Sequence, residues 1–198
     1  VLREPVIGDI RTWIVTEKID GMNIRVGFEK GQEIPDIAGR TDNAQIPRDL
    51  LSEIYSLMPI EKRDTLFNNG AEPGTMITLY GEGYGGSIQK GAAYSLKKSF
   101  ILFDALVTLP EPDGGSYWKP EVGVTAIAAQ LGIDRVPVLG EMDLEQIVQL
   151  VKTGFQSRIT TTPKVAEGIV AKTRSPLFTS KGRMIIKLKT SDFHPGMK

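Results

Sequence analysis

The run GEGYGG at 81–86 follows a strand-like stretch, MITLY at 76–80, and precedes an apolar one, SFILFDALV at 99–107. It matches G-x-G-x-x-G, and Asp104 lies at about the distance of a ribose-binding acid. The fingerprint also needs a helix to open at the third glycine. Here the linking segment SIQKGAAYSLKKS is short and interrupted by Gly91. It leaves too little room for the crossover helix that a parallel strand pair requires. A dinucleotide-binding βαβ unit is therefore set aside. Two readings of the run remain: a glycine-rich turn, or a setting for Glu82 in which the glycines let a ligand approach the backbone.

The rest of the chain fits that constraint. Residues 12–15 (TWIV) and 22–28 (MNIRVGF) read as strands, with Asp20 and Gly21 in a turn between them. A helix is predicted from Ile46 to Met58, with Pro47 in its first turn, and a short second one over 61–67. Another helix covers 120–131 and closes at Gly132. A short strand is expected at 134–139. Asp143 is placed to cap a helix over 144–152 that closes at Gly154. Strands follow at 167–173 and 183–189. The segment PEPDGGS at 110–116 reads as a turn-rich loop. Strands interleaved irregularly with a few helices favour an α+β fold with antiparallel sheets.

Composition removes several chemistries. The 198 residues contain no cysteine, so disulfides, thiolate metal sites and cysteine nucleophiles are excluded. The single histidine, His194, excludes a multi-histidine metal centre and a histidine-dependent triad in mid-fold. Lys+Arg and Asp+Glu both number 24, so any grip on nucleic acid must be a local basic patch. No stretch is long and apolar enough to read as a membrane span or signal, and the expectation is a cytoplasmic protein. The chain begins with Val1 rather than Met.

Several charged residues stand where chemistry is possible. In TEKIDGMNIRV, Lys18 is either a surface lysine paired with Glu17 or Asp20, or a nucleophile. A nucleophilic lysine must be free of its proton near neutral pH, which takes neighbouring cations or desolvation. Gly21 would let the backbone approach a phosphate or base, and Asn23 and Arg25 share a face of the next strand. In GRTDNAQIP, Arg40 is a phosphate or ribose contact or a turn residue. Phe100 and Phe103 point in opposite directions from one strand, so one can meet a ligand while the other enters the core. Glu167 opens the strand of EGIVAK, with Lys172 on the opposite face by parity. Lys187 and Lys189 in IIKLK project from one face, with Ile186 and Leu188 turned to the core. Such a lysine pair needs an anion between its members, and a phosphate suits; an edge strand guarded by lysines is the plainer reading.

Taken together and in order, these elements resemble the motif series of the covalent nucleotidyltransferases, which comprise DNA ligases, RNA ligases and mRNA capping enzymes. TEKIDGMNIRV, GRTDNAQIP, YGEGYGGSIQKG and AEGIVAKTRSPLF are most similar to the RNA ligases, particularly the phage-type class that seals breaks in RNA duplexes. The resemblance covers residues 12 to 190. It implies an α+β nucleotidyltransferase (ATP-grasp-like) fold, with antiparallel sheets flanked by helices around a nucleotide pocket. Residues 1–198 would form one adenylylation domain without a C-terminal accessory domain: a minimal ligase or an excised catalytic domain.

The resemblance also implies roles. Lys18 would take AMP from ATP, with Asp20 beside it. Gly21 and Asn23 would lie against the nucleotide, and Arg40 would match the arginine of the second motif. Glu82 would hold the ribose and Phe103 would stack on adenine, with Phe100 as the lesser choice. Glu17 would lie near the adenine edge. Lys187 and Lys189 would contact the α-phosphate. Asp20 and Glu167 would hold Mg²⁺ or Mn²⁺, mainly through water. The expected cofactors are ATP, with AMP as covalent adduct, and the divalent metal. The expected partners are RNA ends or nicks, with no membrane, for a monomer in the cytoplasm (the host's, if phage-encoded). The alternatives are an ATP-dependent DNA ligase domain, a capping-type guanylyltransferase and a catalytically silent nucleotide-binding module.

Overall fold

The computed structural model describes residues 5–194 except 42, 69, 90 and 113. Asp42 of GRTDNAQIP and Lys90 of the segment after GEGYGG therefore lie outside the described residues. In chain order come β1 (Trp13–Lys18), β2 (Met22–Glu29), β3 (Asp36–Gly39), α1 (Arg48–Leu57) and α2 (Ile60–Thr65). Next are β4 (Met76–Tyr84), β5 (Ser99–Thr108), β6 (Ser116–Trp118), α3 (Glu121–Leu131), β7 (Val138–Met142) and α4 (Leu144–Thr153). The chain then forms β8 (Gly168–Lys172), β9 (Phe178–Thr179), β10 (Gly182–Arg183), β11 (Ile185–Lys189) and α5 (Thr190–Phe193). Every strand pair is antiparallel. The α+β reading with antiparallel sheets therefore holds. Among the described residues, no helix is long and apolar enough to cross a membrane.

The chain divides into two compact units. The first is Asp20–Arg135, and the second joins the residues up to Ile19 with those from Val136 onward. In the first, a five-stranded sheet has the order β3-β2-β4-β5-β6. One face carries Ile24, Val26, Phe28, Leu79, Phe100 and Leu102 into a core completed by Leu50 and Ile54 of α1 and Val124 and Leu131 of α3. Gly132 closes α3 in the left-handed region, φ 65°, as its sequence position predicts.

The second unit has a four-stranded sheet of order β11-β8-β1-β7, with β9 and β10 as a separate hairpin. Trp13, Val15, Ile169 and Ala171 pack with Ile147 and Val151 of α4, and Ile186 and Leu188 join them. Asp143 caps α4 through the backbone N–H of Gln146, and Gln146 returns a bond to the Asp143 N–H. That reciprocal pair satisfies two N–H groups the helix leaves open.

Several boundaries differ from expectation, among them the strand expected at 183–189, whose first residue belongs to β10; three of the differences have a clear physical reason. β1 runs through polar Thr16, Glu17 and Lys18, because each finds a partner and Thr16 Oγ1 donates to the Val170 carbonyl. β4 continues through GEGY, so the glycine run is mostly strand; the turn starts at Gly85 and Gly86, with φ 88° and 53°. A Cβ on Gly81 would lie 2.3 Å from the Phe100 ring, and one on Gly83 would lie 2.6 Å from Leu50. These two glycines thus make room for the core. The strand expected at 134–139 begins only at Val138, since Pro137 lacks the N–H a ladder needs.

Candidate functional site

In the second unit, Lys18 ends β1 and is paired with Gly168 of β8. Lys189 of β11 pairs with the same Gly168 from the other side. The two lysines therefore sit one strand apart in a single row across the sheet, on one face. Glu167 joins them. Its Oε2 accepts from Lys18 Nζ at 2.5 Å, and its Oε1 lies 2.8 Å from Lys189 Nζ. The anion that a lysine pair requires is thus supplied by the chain itself, between Lys18 and Lys189. Glu167 is 16% exposed, Lys18 23% and Lys189 50%, so the carboxylate is the most enclosed of the three.

The row depends on Gly168. Its φ is 155°, and a Cβ there would stand 2.0 Å from the Leu188 carbonyl oxygen. Only glycine lets β8 and β11 close at this point. The same conformation interrupts strand alternation, so parity does not extend from Lys172 back to Glu167. Lys172 is buried and shares the strand face of Gly168, the face on which Lys18 lies. The expectation that Glu167 and Lys172 occupy opposite faces fails for that reason.

Backbone bonds hold Glu167 in place. The Thr190 N–H donates to the Glu167 carbonyl at 2.8 Å, and its hydroxyl donates to the Ala166 carbonyl at 2.9 Å. Thr190 is itself buried. The sequence reading passed over it, because a threonine following Lys-x-Lys gives no signal until the strand is seen to end there. Lys187 lies two rows further along β11, opposite Val170, which in turn is opposite Thr16. It is exposed and shares the face of Lys189, about 7 Å away along the strand.

Glu17 departs from its expected place at an adenine edge. It points to the other face of β1 from Lys18 and is 1% exposed. Its carboxylate accepts from the Ser157 hydroxyl and from the Arg158 N–H at 2.8 Å. Both oxygens are committed to the loop after α4, so the side chain acts as a structural anchor.

In the first unit, Asn23 of β2 stands directly opposite Glu82 of β4. Glu82 is in turn opposite Ile101 of β5. This face lies opposite the α1 and α3 core. Phe100 is 1% exposed and belongs to that core, so it has no ligand-facing surface. Phe103 is half-buried and sits at the register shift where Tyr80 pairs with Asp104 but Gly81 pairs with Leu102. It is the extra residue of a bulge, which re-aims a side chain out of strict alternation. Arg25 shares the strand face of Asn23 and donates from Nε to the Gly39 carbonyl at 3.1 Å. Arg40 follows β3 and is exposed.

Gly21 has a different reason to be glycine from the one expected. A Cβ there would lie 2.3 Å from the Gly83 carbonyl oxygen and 2.8 Å from Glu82 Cγ. The close approach is to the protein's own β4. Asp20 donates its backbone N–H to Tyr94 Oη at 3.2 Å.

Among the described residues, no three His, Asp or Glu side chains gather to ligate a metal directly. Glu167 is nevertheless suited to a hydrated cation. A carboxylate offers about four lone-pair sites, of which the two lysines use two. A hard divalent ion that keeps its waters fits such a donor better than a bare ion does.

Comparison with known proteins adds the family context. A family model described as RNA ligase matches residues 11–189. No curated protein sequence matches the chain. Solved structures of an RNA ligase from Naegleria gruberi are similar. A variant with ATP and Mn aligns with TM-score 0.69 and 20% identity, over 96% of this chain and 53% of that one. The ligase with PPi gives 0.67 and 19%, over 98% and 54%. A variant with AMP and Mn gives 0.67 and 20%, over 96% and 53%. The chain thus spans about half the length of those ligases, and likeness at this identity shows the fold.

Proposed function

The chain belongs to the RNA ligase family, and from that premise we propose that it is an ATP-dependent RNA ligase, or the catalytic domain of one, with Lys18 as its nucleophile. The observation that carries this reading is the bridge of Glu167 between Lys18 and Lys189 across Gly168. The bridge fixes where Nζ points, which free solvation does not do. Lys18 is instead held by an enclosed carboxylate, on a sheet face that also presents Lys187 and Lys189.

The chemistry has three steps. Lys18 Nζ, once free of its proton, attacks the α-phosphorus of ATP. The N–P bond forms, the bond to the bridging oxygen breaks and pyrophosphate leaves. A 5′-phosphate oxygen of RNA then attacks the same phosphorus, which frees the lysine and leaves AMP on the strand. A 3′-hydroxyl finally attacks that 5′-phosphate and expels AMP, closing the phosphodiester. Each step gathers negative charge on phosphate oxygens, so fixed cations aimed at them lower the barrier. Lys187 and Lys189 take that role. Glu167 orients Nζ by accepting a hydrogen bond from it.

Mg²⁺ or Mn²⁺, when bound, adds positive charge at the phosphates. Glu167 is suited to its waters, and the sequence resemblance assigns Asp20 the same role. Glu82 is assigned to the ribose, Asn23 to the water and metal side of the nucleotide, Phe103 to adenine and Arg40 to a phosphate or the ribose. Gly21 is assigned to the nucleotide, and its lack of a side chain also lets it pack closely on β4. The Naegleria ligase is solved with ATP and Mn and with AMP and Mn, which supports the choice of cofactors. The proposal extends to RNA ends or nicks as the polynucleotide substrate, and to a monomeric, cytoplasmic enzyme.

Intact-mass measurement after incubation with ATP and Mg²⁺ tests this reading. One AMP should be added at Lys18, and Lys18→Ala should remove it. Failure to form any adduct with ATP or GTP overturns the proposal, and an adduct with GTP alone points to capping chemistry. Side-by-side nicked RNA and nicked DNA duplexes identify the polynucleotide, and sealing confined to DNA counts against an RNA ligase.

A further inference from the structure

The chain has no net charge, yet residues 168–191 hold Lys172, Arg174, Lys181, Arg183, Lys187 and Lys189 and no acid. Lys172 is buried, Arg174 is paired with Glu141 and Lys189 with Glu167, so the basic character this segment offers a polyanion comes from Lys181, Arg183 and Lys187. Two of these cations belong to the β9–β10 hairpin, which the reading of single motifs did not use. In that hairpin Phe178 is the direct cross-strand partner of Arg183. Side chains paired in this way lie on one face, about 5 Å apart at Cβ.

Phe178 is 60% exposed and the adjacent Leu177 46%. Phe178 thus presents its ring to solvent on the hairpin face it shares with Arg183. The hairpin is also a formed element. The Thr179 hydroxyl accepts from the Lys181 N–H at 3.2 Å, and the Met184 N–H donates to the Leu177 carbonyl at 2.8 Å. It leads directly into β11, the strand of Lys187 and Lys189.

We propose that the β9–β10 hairpin is a docking element for an RNA strand, with an unpaired base stacked on Phe178 and the adjoining phosphate held by Arg183, helped by Lys181. The ring supplies a sequence-tolerant platform, because every base has a π-face. The guanidinium supplies a planar donor set matched to phosphate. A ring and a guanidinium paired across the hairpin, with Lys181 in its turn, favour a polyanion that carries bases over an apolar or basic protein surface. The inference deepens the ligase reading, since it names the element that would hold the strand whose end Lys18 adenylylates.

The test uses the full chain and a short fluorescent single-stranded RNA, with binding read by anisotropy over a salt series. Adduct formation at Lys18 is measured in parallel on the same samples. Phe178→Ala should weaken RNA binding by about tenfold and leave the salt slope unchanged. Arg183→Ala should weaken it and make the slope of log affinity against log salt shallower by about 0.7. Phe178→Trp should bind as well as the parent. All three should form the lysyl adduct at the parent rate, which also shows that they fold.

Unchanged RNA binding in Phe178→Ala and Arg183→Ala overturns the proposal. So does a parent that forms the adduct but binds no RNA. A parent that binds RNA through Phe178 and Arg183 yet forms no adduct leaves the docking element standing and removes the ligase reading instead.

Discussion

Lys18 and Lys189 flank Gly168 from opposite sides and meet on the carboxylate of Glu167. The row closes only because residue 168 has no side chain. Gly168→Ala should force β11 away from β8, since the new Cβ would meet a backbone oxygen at 2.0 Å. Adduct formation should fall by at least about a hundredfold, and stability by about 2 kcal/mol or more. Mass spectrometry and chemical denaturation check the two effects.

Glu167→Gln keeps the shape of the bridge and removes its charge. Adduct formation should fall by about 10²–10³-fold. More Mg²⁺ should be needed for half-maximal rate if the carboxylate holds metal waters. Lys189→Ala should slow adduct formation with little change in stability, because that lysine is half exposed. A rate equal to the parent in both variants would remove the bridge from the mechanism.

Glu17 separates an anchor from a nucleotide contact. Glu17→Gln leaves Ser157 and the Arg158 N–H with a weaker partner inside the fold. The expected cost is about 1–3 kcal/mol of stability, with the KM for ATP unchanged. A raised KM with unchanged stability would restore the adenine-edge role.

The two phenylalanines of β5 should behave differently. Phe100→Ala empties a core position and should cost about 3–5 kcal/mol. Phe103→Ala should cost far less stability and raise the KM for ATP. Thermal melts and adduct kinetics on both variants decide between them.

Tyr84 gives a prediction in pH. Its hydroxyl is held above the usual tyrosine value near 10, first by burial and then by the charge of Asp134. The folded state therefore keeps this proton after the unfolded chain has lost its own. The associated stability is fully present below about pH 10 and declines as the pH rises toward the folded value. Tyr84→Phe should flatten that alkaline fall, as read from melting temperature against pH.

Much of this was legible before any coordinates. The boundaries of α3 and α4 follow from Gly132, Asp143 and Gly154, whose effects are local. The shared face of Lys187 and Lys189 follows from period two alone. GEGYGG shows where such reasoning stops. Its glycines suggested a turn or a ligand, but most of the run is strand, and Gly81 and Gly83 yield space to Phe100 and Leu50. Nothing within six residues reports a ring arriving from β5.

The sequence by itself determined the antiparallel α+β class and pointed to Lys18 as the proposed nucleophile. It also set the local charge of the 168–191 segment, because residue type, spacing and short-range backbone preference act within a few residues. Tertiary structure decided the rest. It placed Lys18, Gly168 and Lys189 in one row, turned Glu17 inward as an anchor, and set Phe178 beside Arg183. Those relationships depend on strand register between segments as much as 171 positions apart (Lys18 to Lys189). Register is fixed by burial of whole faces and by backbone ladders, which no local motif encodes.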